Sequence, residues 1–162
     1  MITPHGGKLI SQILSKNKRQ QVLASQDQYQ TIELDSELVK DVKNIANGAY
    51  SPLTGFLREK DFQSVLNKMR LPDGTVWPIP VVVDISKDKY QTLKNESEIL
   101  LTNQNNQPLA LLTDPEFYQF DPKEMAEKVY GTSDKNHPGV AEVFDLGEYL
   151  VGGEIKSLKN GQ

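Results

Sequence analysis

At 162 residues the chain has the length of about one domain, enough to bury a core without a disulfide or metal staple. The absence of cysteine excludes disulfides, thiolate metal sites and a cysteine nucleophile, while 37% hydrophobic and 25% charged residues are ordinary for a globular protein. A formal net charge of −4, from 18 basic against 22 acidic residues, argues against a nucleic-acid groove, which needs a basic stripe.

In chain order, Met1-Ile2-Thr3-Pro4-His5-Gly6-Gly7 carries no apolar signal-peptide region, and no later run reaches membrane-spanning length, so a cytoplasmic protein is expected. The densest basic cluster, Lys16-Asn17-Lys18-Arg19, lies in a polar stretch from Ser15 to Gln30 that reads as surface helix or loop. Thr31 to Leu34 reads as a short strand. Leu38, Val42, Ile45 and Ala46 then form one helical stripe, with Asp35 as N-cap and Gly48 just past the end. A second helix from about Glu59 carries Phe62, Val65, Leu66 and Met69 on one face, and stops at the turn Leu71-Pro72-Asp73-Gly74. The β-branched run within Trp77 to Ile85 predicts a buried strand, with Pro78 and Pro80 confining its start to an edge or bulge.

Glu98 to Thr102 and Pro108 to Thr113 flank the polar loop 103–107, a β-hairpin signal. A third helix opens at Asp121-Pro122-Lys123-Glu124, with Asp at N-cap, Pro at N1 and Glu at N3. Two strands are predicted at the end, Val140 to Phe144 and Tyr149 to Ile155, the second with a bulge at Gly152-Gly153. The pattern is α+β: one domain with a largely antiparallel sheet, curled toward a pseudo-barrel and flanked by three or so helices.

Few residues point to chemistry. His5 and His137 sit beside glycine or proline in loops, where bonding to loop backbone is the favoured reading over acid–base work. No His-x-x-His spacing assembles a metal set. Gly6-Gly7 and Gly152-Gly153 match neither phosphate-loop pattern and read as backbone-geometry glycines. Tyr130, Thr132, Ser133 and Asp134, between Lys128 and Lys135, are polar enough to line a cleft, although an ordered surface loop is the favoured reading. Glu96 and Glu98 read as strand-end surface charge. The segment Asn47 to Leu57 is different: Tyr50, Leu53 and Phe56 are awkward in water and are expected to pack between elements, with Gly48 closing a helix and Ser51-Pro52 setting an extended or turn backbone.

Five segments together carry a family resemblance. They are Pro4-His5-Gly6-Gly7-Lys8-Leu9, Gly48 to Phe56, Leu71 to Ile85 with its Pro-Asp-Gly-Thr-x-Trp-Pro-Ile-Pro core, Val129 to Val140, and Tyr149-Leu150-Val151-Gly152-Gly153. In this order, from Pro4 to Ile155, they resemble the N-terminal, PUA-like domain of sulfate adenylyltransferase (ATP sulfurylase). That family joins ATP and sulfate to give adenosine 5′-phosphosulfate and pyrophosphate, the first step of sulfate assimilation. Attack of a weakly nucleophilic sulfate oxygen on the α-phosphorus needs dense positive charge and positioned donors. The family supplies these from a second, nucleotidyltransferase-like domain through Gln-x-Arg-Asn-Pro and His-x-x-His motifs, neither of which occurs in this sequence.

The resemblance therefore implies a single PUA-like domain over 1–162 with the catalytic domain absent, inactive by itself and acting as a scaffold. It implies no catalytic, cofactor-binding or metal residue in this chain, no cofactor, and as partner a sulfurylase catalytic domain or another copy of the chain. The alternative is a free-standing PUA-like module that binds RNA or another ligand, against which the acidic balance speaks. A scaffold should expose an apolar patch beyond the few hundred Å² usual for a monomer. The loop from Ala49 to Phe56, the His137-Pro138 loop and the C-terminal strand are its expected contributors.

Overall fold

The computed structural model describes residues 12–158. The elements in chain order are α1 (Lys16–Ala24), a 3-10 turn (Gln26–Gln28), β1 (Thr31–Glu33), α2 (Ser36–Ala46), β2 (Gly55–Phe56), α3 (Glu59–Lys68), β3 (Val83–Ile85), α4 (Lys87–Leu93), β4 (Glu98–Thr102), β5 (Pro108–Gln119), α5 (Pro122–Tyr130), α6 (Pro138–Asp145) and β6 (Tyr149–Ser157). They fall into two compact units, the first of residues 12–56, 92–115 and 153–158, the second of 57–91 and 116–152.

In the first unit the strand order is β1-β4-β5-β6-β2, an open path that ends on β1 and β2. Strand β1 joins β4 in parallel, whereas β4–β5 and β2–β6 are antiparallel. The Leu158 amide donates to the Leu109 carbonyl and the Thr113 hydroxyl reaches the Glu154 carbonyl, so β5 and β6 also run in opposite directions. The fold is thus α+β with a mostly antiparallel sheet, as the sequence predicts. The 103–107 loop closes the β4–β5 hairpin because the Asn103 side-chain oxygen accepts from the amides of Asn105 and Gln107. Helix α2 starts where Asp35 accepts the Leu38 amide at 2.9 Å, and it buries Val42, Ile45 and Ala46. Val22 of α1 packs with Leu100, Leu111 and Leu158, which ties this polar helix to the sheet through one apolar residue.

In the second unit β3 pairs antiparallel with residues 149–151 of β6. Helix α3 buries Phe62, Val65 and Leu66. The Phe62 ring meets Tyr118 at 5.6 Å and Phe120 at 6.4 Å between centroids, and Tyr90 stacks on Tyr149 at 4.1 Å. Asp121 caps α5 by accepting from the amides of Lys123 and Glu124, with Pro122 at the first helical position as predicted.

Four expectations need correction. Residues 140–144 belong to helix α6 and not to a strand, because His137 and Pro138 form a cap and first-turn pair, and Val140 and Val143 are buried at helical spacing. Only Val83–Ile85 of the predicted 77–85 strand pairs, since Pro78 and Pro80 deny the ladder its donors. Met69 leaves the α3 stripe: it takes the left-handed cap conformation (φ 53°) and is 54% exposed. Six α-helices are present among the described residues where some three are predicted; the additions are α1 (read only as surface helix or loop), α4 and α6.

Candidate functional site

The Asn47–Phe56 segment is packed, as its apolar residues require. Ser51, Leu53 and Phe56 are buried, and the backbone turns on itself through Asn47, which accepts the Ala49 amide, and Ser51, whose hydroxyl donates to the Gly48 carbonyl at 2.6 Å. The Ser51–Pro52 peptide is cis. The Tyr50 hydroxyl donates to the Asp41 carboxylate at 3.2 Å. Burial pushes the Asp41 carboxyl above the usual carboxylate range; the Tyr50 bond pulls it back, and the nearby Glu37 and Asp35 charges push it further up. The buried Gln12 amide lies within reach of the Glu154 carboxylate (2.9 Å) and the Ile155 and Thr54 carbonyls (3.1 and 3.3 Å). Ser51, Leu53 and Phe56 thus anchor the segment in the first unit, while Asn47, Ala49 and Thr54 are exposed and Tyr50 and Pro52 half-buried.

The loop after α5 is similarly self-contained. Thr132 accepts the Asp134 amide, Asp134 accepts the Asn136 amide, and the Asp134 carbonyl accepts the His137 amide. His137 Nδ1 accepts the Gly139 amide at 3.1 Å, which requires the tautomer protonated on Nε2. Its ring is thereby a helix cap for α6, the backbone-bonding reading favoured from sequence. Lys135 lies over the Phe144 ring at 4.6 Å, and Lys128 bonds Glu124 and Asn67. Thr132, Asp134 and His137 thus serve the loop's own backbone. His5 and Gly6-Gly7 lie outside the described residues. Gly152 has a steric reason to be glycine: a Cβ there would sit 2.4 Å from the Leu57 carbonyl oxygen and 2.5 Å from Arg58 Cα.

Glu96 and Glu98 line a polar recess of about 270 Å³ in the first unit with Ser25, Gln28, Tyr29 and Ser97. Among the described residues no three His, Cys, Asp or Glu side chains come together as a metal site, and no helix is long and apolar enough to cross a membrane.

The more distinctive surface is in the second unit. A groove of about 150 Å³ runs between residues 79–82 and helices α5 and α6, walled by Ile79, Val82, Val129, Tyr130, Val143 and Leu146. Ile79 is 60% exposed and Tyr130 37%. Glu142 is the one charged residue among those lining the groove. The Tyr130 ring packs on the start of α6: Gly139 leaves the space that its ring carbons occupy, where a Cβ would stand only 2.4 Å away, and the His137 ring leans on it at 4.8 Å. The residues expected to contribute an apolar patch are only partly exposed. Leu53, Phe56 and, in β6, Leu150, Val151 and Ile155 are buried, whereas Ala49, His137 and Pro138 are exposed. Sequence reasoning missed Ile79 by reading it into a buried strand. The usable signal was its position between two prolines, which cannot sit in a paired interior.

This arrangement of a mixed sheet with capped helices matches a known domain. The PUA-like domain profile covers residues 2–160, and the chain belongs to the PUA-like domain family. Its relatives sharpen that placement. The chain is 45% identical over 155 residues to the sulfate adenylyltransferase of Thermococcus onnurineus and 44% identical over 155 residues to that of Pyrococcus abyssi, in each case covering 96% of this chain and 40% of the relative. The sulfate adenylyltransferase of Halothermothrix orenii is 40% identical over 159 residues, with 98% and 42% covered. The chain thus spans about two fifths of the length of these relatives, matching a PUA-like part of them. A solved chain described as hexameric APS kinase from Thiobacillus denitrificans superposes with a TM-score of 0.68 at 21% identity, covering 98% of this chain and 27% of that one; it shares the fold.

Proposed function

We propose that this chain serves as the N-terminal, PUA-like scaffold of a sulfate adenylyltransferase, working with a nucleotidyltransferase domain that makes adenosine 5′-phosphosulfate and pyrophosphate from ATP and sulfate. The observation that carries the reading is the match itself: nearly all of this chain aligns at up to 45% identity with two fifths of enzymes bearing that name. The 1–162 chain acts as one domain, in the cytoplasm, and its contribution is structural. It packs against the catalytic part and supports the walls of the reaction cleft. Two features agree with this. In the polar loop 131–139 the Thr132, Asp134 and His137 side chains are engaged in capping and turn bonds. Four of the five large hydrophobic side chains exposed among the described residues belong to one unit, where they are available to a protein partner.

Co-elution tests the reading. This chain, mixed with the three fifths of the Thermococcus onnurineus enzyme that it does not match, should elute as a complex in size-exclusion chromatography. Separate elution of the two at micromolar concentration contradicts it.

A further inference from the structure

We propose that the groove between residues 79–82 and helices α5 and α6 is a socket for one apolar side chain of the remaining sulfate adenylyltransferase polypeptide, presented beside a lysine or arginine that faces Glu142. The proposal rests on the scaffold reading and adds the surface at which it operates.

Size selects the kind of ligand. At about 150 Å³ the groove is well below the roughly 300 Å³ at which small-molecule pockets begin, so it is too small for a nucleotide and of the scale of a single inserted side chain. Chemistry agrees, since the named walls are apolar with Glu142 alone charged. Of the five large hydrophobic residues exposed among the described ones, Met69, Val76, Ile79 and Tyr130 belong to this unit and Leu23 to the other. Met69 and Val76 flank the turn that leads to Ile79, with the Met69 carbonyl accepting the Trp77 amide at 2.8 Å.

The socket is also preset. Pro78 and Pro80 fix the backbone on either side of Ile79, and Tyr130 is braced by His137 and by the bare Cα of Gly139. A wall already ordered before binding avoids the side-chain entropy that association otherwise costs, which is the character of an interface anchor site. The occupant follows from length. Relatives that contain this region carry a further three fifths of polypeptide in the same chain. Ile79, Pro80 and Val82 of the groove lie within Leu71 to Ile85, and Val129, Tyr130 and Gly139 within Val129 to Val140, two of the segments that resemble the sulfurylase family, while Met125, Glu142, Val143 and Leu146 lie outside them.

The test is calorimetric titration of this chain with the unmatched three fifths of the Thermococcus onnurineus enzyme, using wild type, Ile79→Asp, Glu142→Lys and, as a control on the other unit, Leu23→Asp. Ile79→Asp should weaken binding by about tenfold or more and Glu142→Lys measurably, while Leu23→Asp stays within about twofold, as expected when a central anchor is lost and a remote site is not. Thermal unfolding checks that the variants fold. Should Ile79→Asp lose stability, amide hydrogen exchange of residues 79–82 and 138–146 in the wild type takes its place, with slowing on mixing expected. Wild-type binding that Ile79→Asp leaves intact, or unchanged exchange in a formed complex, overturns the socket and leaves the scaffold standing. No wild-type binding overturns the scaffold and the socket with it. Self-association of this chain that Ile79→Asp abolishes assigns the groove to a second copy and overturns the proposal.

Discussion

Tyr118 places its hydroxyl 2.7 Å from the Leu57 carbonyl inside the second unit, with its ring against Phe62. Burial pushes the phenol above its ordinary range, and the Glu116, Asp61 and Glu59 charges push the same way, so it acts as a neutral donor at every physiological pH. Tyr118→Phe keeps the ring and strands a buried carbonyl, and should lower unfolding free energy by roughly 1–2 kcal/mol in urea titrations. Asp41 carries a second prediction with a definite sign. Its folded pKa lies above its unfolded value, so the native state holds the proton longer than the unfolded state does. The stability associated with that proton is fully present below the unfolded pKa of about 3.8 and is lost as pH rises through the raised folded value. Asp41→Asn retains an acceptor for Tyr50 and cannot ionise. It should therefore match wild type at low pH and exceed it at neutral pH; a variant less stable at neutral pH than at low pH, relative to wild type, contradicts this account of the site.

The elements show where sequence signals suffice and where they compete. Helices α2 and α5 are legible because Asp35 and Asp121-Pro122 mark their starts and the apolar spacing agrees with the caps. The β4–β5 hairpin is legible for the same reason, two β-branched or leucine-rich runs about a polar loop. Helix α6 is not, because Val140, Val143 and Phe144 have strand propensity, and tertiary burial of a short helix overrides it. The His137-Pro138 start was the available counter-signal. His137→Ala should cost about 1 kcal/mol by removing the acceptor of the Gly139 amide, and His137→Asn should restore most of it; equal losses in both would mean that the ring's packing on Tyr130 matters more than the cap. The β2–β6 pair is set by close approach. A Cβ at Gly55 would stand 1.8 Å from the Gly153 carbonyl oxygen, a backbone atom that cannot swing away. Gly55→Ala should fall at the upper end of the ~1–3 kcal/mol penalty of overpacking, read as a lowered denaturant midpoint. No local pattern reveals such an approach, which exists only once the sheet forms. The groove was half legible: its residues lie in segments singled out from sequence, but their exposure depends on prolines excluding Ile79 from the sheet.

At the scale of the whole molecule, a fold of ordinary composition gains its meaning from what it matches and what it leaves uncovered. Two compact units share strands β5 and β6 along the chain, the PUA-like family covers both, and relatives named sulfate adenylyltransferase extend well beyond the region aligned. The first unit buries Ser51, Leu53 and Phe56 of its distinctive loop, and the second keeps an apolar groove open. The proposed scaffold role gives the open groove a use as a docking face.

The most direct measurement is pyrophosphate-dependent formation of ATP from adenosine 5′-phosphosulfate, assayed with this chain alone, with the unmatched part of the Thermococcus onnurineus enzyme alone, and with the two mixed. Turnover that rises markedly only in the mixture is the predicted result. Turnover by this chain alone, or a partner whose rate is the same with and without it, contradicts the scaffold account.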